Sequence, residues 1–426
     1  METLETAVPQ STKAPLVPVE ATINTTRRLK GVVHHTPLFE NANLSEQYGA
    51  RILLKREDLQ NVRSYKVRGA YNKLASLADS NKIAVCASAG NHAQGVAFAC
   101  RKLGLNGKIV MPHPTPKQKV KQVEFFGKDN VEIILSGDTF DDAYTLARQI
   151  CEQENGVFIP PFDDEKVIEG QSTVGYEILQ DEHRPIDYLI LPVGGGGLSA
   201  GVGSYFHQIS PHTKIIGVEP EGAPAMQQSF KAGKRIKLEH IDKFVDGASV
   251  QQVGKMNFDI CKQVLNQITT VPEGHVCNWI LKLYNEEAIV VEPAGALSIA
   301  ALDNLREEIK GKTVVCVVSG GNNDITRMEE IKERALLHQG LKHYFIVRFP
   351  QRAGALREFV SEVLGPNDDI THFEYTKKNN RERGPAMVGV ELSQAEDYKH
   401  LLERMDQRHI EYESLNNRSD LFSFFI

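Results

Sequence analysis

Between residues 20 and 330 the chain repeats one pattern: a short apolar, often β-branched run, a turn, then a stretch of helical character. Arg51-Ile52-Leu53-Leu54, Ile83-Ala84-Val85-Cys86, Lys108 to Met111, Val131 to Leu135, Tyr188 to Val193, Lys214 to Val218 and Thr313 to Val318 are such runs. A strand apolar on both faces has to be covered on both faces, which a parallel sheet flanked by helices achieves. An α/β architecture follows. At 426 residues the chain is too long for one ordinary domain.

Beyond Asn323 the character changes. A charged helical stretch, Asp324 to His338, stops at Gly340. Tyr344 to Phe349 then reads as a strand, Gly354 to Leu364 as a helix, and Ile370 to Thr376 and Ala386 to Leu392 as strands, the last after Gly384-Pro385 punctuation. Ala395 to Met405 is helical, and a final strand begins near Ile410. The order βαββαβ is the ferredoxin-like split unit. Residues 1–20 lack both a basic start and an apolar core, so they read as a flexible tail rather than a secretory signal.

Composition removes several classes of function. The net charge of −6 is spread without a long basic run, so nucleic acid is a poor partner. No stretch is long and apolar enough to span a membrane. None of the six cysteines forms a C-x-x-C pair, and Cys86 and Cys316 sit inside apolar strands, which fits a reducing cytoplasm and no thiolate metal site. His34-His35 shares no helix face and reads as loop, Trp279 reads as core, and no metal is assigned near Glu219-Pro220-Glu221.

Four segments can carry chemistry. Gly194-Gly195-Gly196-Gly197, followed by Leu198, lies between a buried strand and a helix, where backbone N–H groups close around a phosphate. Gly195-x-Gly197-x-x-Ala200 with Glu219 also matches a dinucleotide fingerprint, and on this motif alone a nicotinamide cofactor is favoured. In Ser64-Tyr65-Lys66-Val67-Arg68-Gly69-Ala70, Lys66 has apolar neighbours and a nearby cation, Arg68. Both lower a lysine pKa, as a Schiff-base amine requires, although most lysines at a helix start are merely solvated. Ser88-Ala89-Gly90-Asn91-His92 follows a strand and is suited to a substrate carboxylate; Ser319-Gly320-Gly321-Asn322 closes another strand. Loops at strand C-termini converge where open α/β sheets bind ligands. A nicotinamide enzyme has no need of the lysine segment.

Together with Thr36-Pro37-Leu38, Lys55-Arg56-Glu57-Asp58 and Val291-Glu292-Pro293-Ala294-Gly295, these segments resemble the fold-type II pyridoxal-phosphate (PLP) enzymes and, within them, the threonine dehydratases, over about residues 20–330. The resemblance implies a tryptophan synthase β-like catalytic domain over 21–325, with a small subdomain of about 59–162 inserted in a larger one. A linker helix at 326–340 and an ACT-like regulatory domain at 341–426 would follow. It implies Lys66 as the Schiff-base lysine and Cα base, with Tyr65 beside it. Gly194 to Gly197 and Leu198 would hold the cofactor phosphate, Asn91 the ring 3′-oxygen, Ser88 to His92 the substrate, and Ser319 the ring nitrogen. A hydroxyl there, in place of a carboxylate, makes a weaker electron sink, which suits elimination.

The same resemblance implies L-threonine, or L-serine, as substrate, with 2-oxobutanoate and ammonia as the products from threonine. It implies isoleucine as an allosteric inhibitor at a turn containing Arg352, Gly354, Ala355 and Leu356, and a homotetramer. Serine racemases carry serine at the position of Ala89, so a dehydratase is favoured over a racemase. A serine/threonine dehydratase or racemase of broader specificity and a non-catalytic amino-acid sensor are the competing readings.

Overall fold

A computed structural model describes residues 14–78, 80–375, 382–416 and 418. The chain divides into two compact units, one comprising residues up to 273 with 283–324, the other 274–282 with the chain from 325 onward.

Among its described residues the first unit holds ten strands: β1 (Leu38–Glu40), β2 (Arg51–Arg56), β3 (Ala84–Ala87), β4 (Gly107–Met111), β5 (Val131–Leu135), β6 (Val157–Phe158), β7 (Tyr188–Pro192), β8 (Lys214–Pro220), β9 (Gln267–Val271) and β10 (Thr313–Val318). They form a six-stranded sheet in the order β1-β2-β10-β7-β8-β9 and a four-stranded sheet in the order β5-β4-β3-β6. Every pairing is parallel except that of β1 with β2. The larger sheet packs Leu189, Leu191, Val193, Val315 and Val317 against Ile168, Val174, Val202 and Phe206 of its helices. The smaller sheet has its own core, in which Cys86, Ile109 and Met111 meet Ala93, Val96 and Ala97 of the helix Asn91–Leu103. Helix starts are chemically marked: Thr139 and Asp142 form a reciprocal capping box, and Asp164 accepts from the Lys166 and Val167 N–H groups.

Two expectations change here. The tail expected through residue 20 falls outside the described residues only for 1–13; Val17 is buried in the large core and a helix begins at Val19. Residues 274–282, expected within the catalytic domain, group with the second unit. Gly274 lies so close to the helix Met328–His338 that a Cβ there would sit 2.4 Å from the His338 Cβ.

The second unit contains β11 (Lys342–Pro350), the helix Ala355–Glu362, β12 (Asp369–Tyr375), β13 (Arg383–Glu391), the helix Asp397–Gln407 and β14 (Glu411–Ser414). Its antiparallel sheet runs β12-β13-β11-β14, the strand order of a ferredoxin-like βαββαβ unit. Phe345, Val347, Phe349, Val388 and Val390 form its core with Phe359, Leu401 and Met405 of the helices. Gly384 and Pro385 lie inside β13, opposite Phe349 and Arg348, rather than before it. Among the described residues the ladder to β12 ends at Ala386, so the N–H that proline lacks costs no bond on that side.

Candidate active site

Lys66 begins the helix Lys66–Ala75, which crosses the helix Glu165–Asp181 at very close range. A Cβ on Gly170 would lie 2.4 Å from the Gly69 Cα, so neither position tolerates a side chain without a shift. Arg68, two residues along, is fully buried; it donates to both Glu57 oxygens, at 2.8 Å each, and to Glu177 Oε1 at 2.6 Å and Oε2 at 2.8 Å. Lys55, also fully buried, donates to Glu177 Oε2 at 2.7 Å and to the Thr36 carbonyl. Burial works against the Glu177 charge, but Arg68 and Lys55 outweigh it and hold that carboxyl below its usual range. Arg68 thus anchors the helix that presents Lys66. It is not the cation expected to tune that lysine, because its charge is spent on two carboxylates.

A cavity of about 990 Å³ lies against the C-terminal ends of β3, β7 and β10. Tyr65, Lys66, Ser88, Ala89, Gly90, Asn91, His92, Gly194 to Gly197, Leu198 and Ser319 all line it. The expected cofactor and substrate residues therefore share one chamber. Lys66 Nζ donates to the Pro161 carbonyl at 2.9 Å, with the Tyr65 and Phe162 rings 5.4 and 5.9 Å away. Burial lowers its pKa to about 8, against the opposing pull of Glu292.

The glycine loop fits a phosphate. A Cβ on Gly195 would stand 2.3 Å from the Phe162 ring, and Gly196 has φ +90°, which L side chains rarely adopt. The helix Gly197–Ile209 starts there, so its free N–H groups face the same chamber. Ser249 Oγ, on a loop against the cavity, is buried without a partner. An anionic cofactor group held by backbone donors suits this cradle, and the lysine suits an aldehyde.

The carboxylate loop is tightly held. Asn91 Nδ2 donates to Glu292 Oε1 at 2.7 Å, while Asn322 Nδ2 donates to Asn91 Oδ1 at 2.7 Å and to the Val62 carbonyl. His92 gives its Nε2–H to the Ile159 carbonyl at 2.8 Å. Burial first, then the Lys66 charge, push the His92 pKa down to about 3, so the ring stays neutral near physiological pH. Gly90 N–H donates to Ser88 Oγ at 3.3 Å, closing the turn. Ser319, at the end of β10, is buried against the cavity, and its carbonyl accepts from the Tyr65 N–H.

Glu219 does not serve a ribose. It is buried and accepts from the Met226 and Gln227 N–H groups at 2.7 and 2.8 Å, capping the helix Ala225–Lys231. Among the described residues, no group of three or more His, Cys, Asp or Glu side chains is placed to hold a metal. In the second unit, Gly354, with φ +89°, turns the chain into the helix that carries Ala355 and Leu356. Arg352 there is exposed and pairs with Glu358 at 2.6 Å.

Three parts of the chamber had no role at the level of sequence: the Pro160–Asp163 segment, the loop around Asp246 to Gln252, and Glu292. Glu292 stood inside a quoted motif, yet only the contact with Asn91 reveals its direction. Gly195→Ala is expected to weaken cofactor binding by about tenfold or more. Overpacking against Phe162 costs roughly 1–3 kcal/mol, and titrating stripped protein with pyridoxal phosphate, followed by visible absorption, measures the loss. Unchanged affinity would show that the loop lies off the phosphate.

Comparison with known proteins agrees with this chamber. Residues 29–320 match the family described as pyridoxal-phosphate dependent enzyme, and residues 333–425 match the C-terminal regulatory domain of threonine dehydratase. The biosynthetic L-threonine dehydratase IlvA of Halalkalibacterium halodurans is 56% identical over 412 residues, covering 96% of this chain and 99% of that protein. Its counterpart from Bacillus subtilis is 57% identical over 413 residues, covering 96% and 98%. The processed form of threonine deaminase isoform 2 from Solanum lycopersicum has a solved structure that superposes with a TM-score of 0.69 at 37% identity, covering 77% of this chain and 99% of that one. The chain belongs to the pyridoxal-phosphate-dependent enzymes, among the biosynthetic threonine dehydratases.

Proposed function

We propose that this enzyme converts L-threonine, and L-serine as a secondary substrate, by β-elimination, releasing 2-oxobutanoate and ammonia from threonine. The observation that carries the reading is a half-buried lysine of lowered pKa, facing a glycine cradle and a carboxylate loop in one chamber. Bound pyridoxal phosphate supplies the electron sink for the pair left when the Cα proton departs. Lys66 is the attachment point and takes that proton at Nζ, a task for which a pKa of about 8 is well matched. Gly194 to Gly197, Leu198 and the following helix terminus hold the phosphate. Asn91 would meet the ring oxygen, Ser88 to His92 would receive the substrate carboxylate, and Ser319 would offer the ring nitrogen a hydroxyl rather than a carboxylate.

A racemase is the second reading, supported by solved serine racemases at 28% identity. Ala89 lines the cavity without a proton-bearing group, which favours one-faced elimination. Oxo-acid release and loss of optical activity, followed together, separate the two readings. D-amino acid outpacing oxo-acid would overturn ours.

The family match at 333–425 supports regulation by the second unit. We infer that isoleucine binds at the Arg352–Leu356 turn and lowers activity, with L-threonine turned over by a cytoplasmic homotetramer. No described helix is long and apolar enough to cross a membrane. An exposed pair such as Arg352–Glu358 contributes little stability, so Arg352 is readily released to meet a ligand carboxylate. Isoleucine is expected to suppress 2-oxobutanoate formation by the native enzyme, and Arg352→Ala to blunt that suppression at least severalfold while leaving uninhibited turnover intact. Equal inhibition of both would remove the turn from the effector site, and sedimentation tests the tetramer.

A further inference from the structure

The Asn91–Asn322–Glu292 chain is not accounted for by the roles above. Glu292 immediately precedes the helix Pro293–Ala300 without its side chain bonding to the helix start, is 5% exposed and lines the same cavity as Lys66. Its Oε1 accepts the Asn91 Nδ2–H, so it decides which edge of that amide meets the cavity. Asn322 fixes the other end of the amide. The Gly320 backbone lies hard against the same carboxyl, since a Cβ there would sit 2.2 Å from Oε1, and Gly247 is in ordinary contact range of it. The carboxyl is therefore packed in place, not swinging in solvent.

We propose that Glu292 is a positioning residue that orients Asn91 and sets the charge state of Lys66. The inference rests on the assignment of Lys66 made above. The charged and titratable groups around the pair come from several elements. Tyr65 and His92 flank Lys66, and Asp246 with Lys119, joined to each other at 2.6 Å, flank Glu292. Burial and then Asp246 push the Glu292 carboxyl up to about 7, while Asn91, Lys119 and the Asn322 N–H pull it down. The two groups thus titrate over neighbouring pH ranges, and a proton gained or lost at Glu292 alters Lys66. A carboxylate lining the same cavity stabilises the ammonium; without that charge the Lys66 amine is neutral at lower pH.

Glu292→Gln separates charge from geometry, because the amide oxygen still accepts from Asn91 while the charge is gone. The test strips full-length protein of pyridoxal phosphate and follows its recombination across pH by visible absorption. Only the neutral amine attacks an aldehyde, so the rate reports the Lys66 charge without any turnover. The pH midpoint is expected to fall in the Gln variant, with recombination at neutral pH faster by on the order of three- to tenfold. The acid limb of kcat should move the same way, and Glu292→Ala should additionally weaken cofactor affinity because Asn91 loses its acceptor. Matching thermal melts check that the variants fold. A midpoint and acid limb unchanged in Glu292→Gln would overturn the proposal. Covalent recombination in Lys66→Ala would instead overturn the assignment of the lysine itself.

Discussion

Lys66→Ala is expected to lower turnover by roughly 10³-fold or more and to abolish the visible band of the lysine-bound cofactor. Two losses combine: the covalent attachment point disappears, and so does the base at Cα, which alone is worth about 10²–10⁴-fold. Few structural contacts go with it, since among the described residues Nζ makes one hydrogen bond, to the Pro161 carbonyl, and lines the chamber. Unfolding by heat or denaturant should therefore stay close to that of the parent. Turnover retained within tenfold would show that the proton is taken elsewhere.

The second large effect is one of stability. Arg68→Met is expected to cost about 3–5 kcal/mol, because it strands buried carboxylates rather than merely removing a contact. Glu177 keeps Lys55, but Glu57 keeps, among the described residues, only neutral partners, chiefly the Thr36 hydroxyl. The variant should thus be rescued in part by Glu57→Gln, which removes the stranded charge. Arg68→Lys should recover less than its retained charge suggests, since one ammonium cannot replace a fork that reaches two carboxylates. Denaturant titration measures all three, and a loss below about 1 kcal/mol for Arg68→Met would contradict the account. Activity should fall further than the unfolded fraction explains, because Arg68 anchors the helix that starts at Lys66.

The parts of this enzyme that were legible in advance are those whose physics is local. A glycine run between strand and helix announces an anion cradle, and apolar runs announce buried parallel strands, as β3, β4, β7, β8 and β10 show, while β5 is a half-exposed edge strand. The ferredoxin-like order of the second unit could likewise be read from alternating element types. Short strands such as β1 and β6 carry too few residues for a period to emerge, and β9, Gln-Ile-Thr-Thr-Val, lacks a continuous apolar run. Glu219 was ambiguous because a carboxylate after a strand serves a ribose or a helix start equally well, and only the placement of Met226 and Gln227 separates the two. Arg68 was misread as the tuner of Lys66 because adjacency in sequence does not reveal the direction of a side chain. Glu292 lay beyond reach for the same reason: its partner Asn91 is 201 residues away.

Those separations have a consequence for biosynthesis. Asn91 receives its last fixing bond from Asn322, 231 residues later, and β2 gains β10 as its parallel neighbour only once residues 313–318 exist. At a ribosomal pace of about 5–20 residues per second, roughly ten to fifty seconds pass between the making of Asn91 and the arrival of Asn322. Throughout that interval Lys66 lacks the chamber wall that carries Glu292, Ser319 and Asn322, and one edge of β2 lacks its neighbour. The reactive lysine is thus armed only when the first unit is nearly complete, so an unfinished chain has no chamber in which to bind the aldehyde.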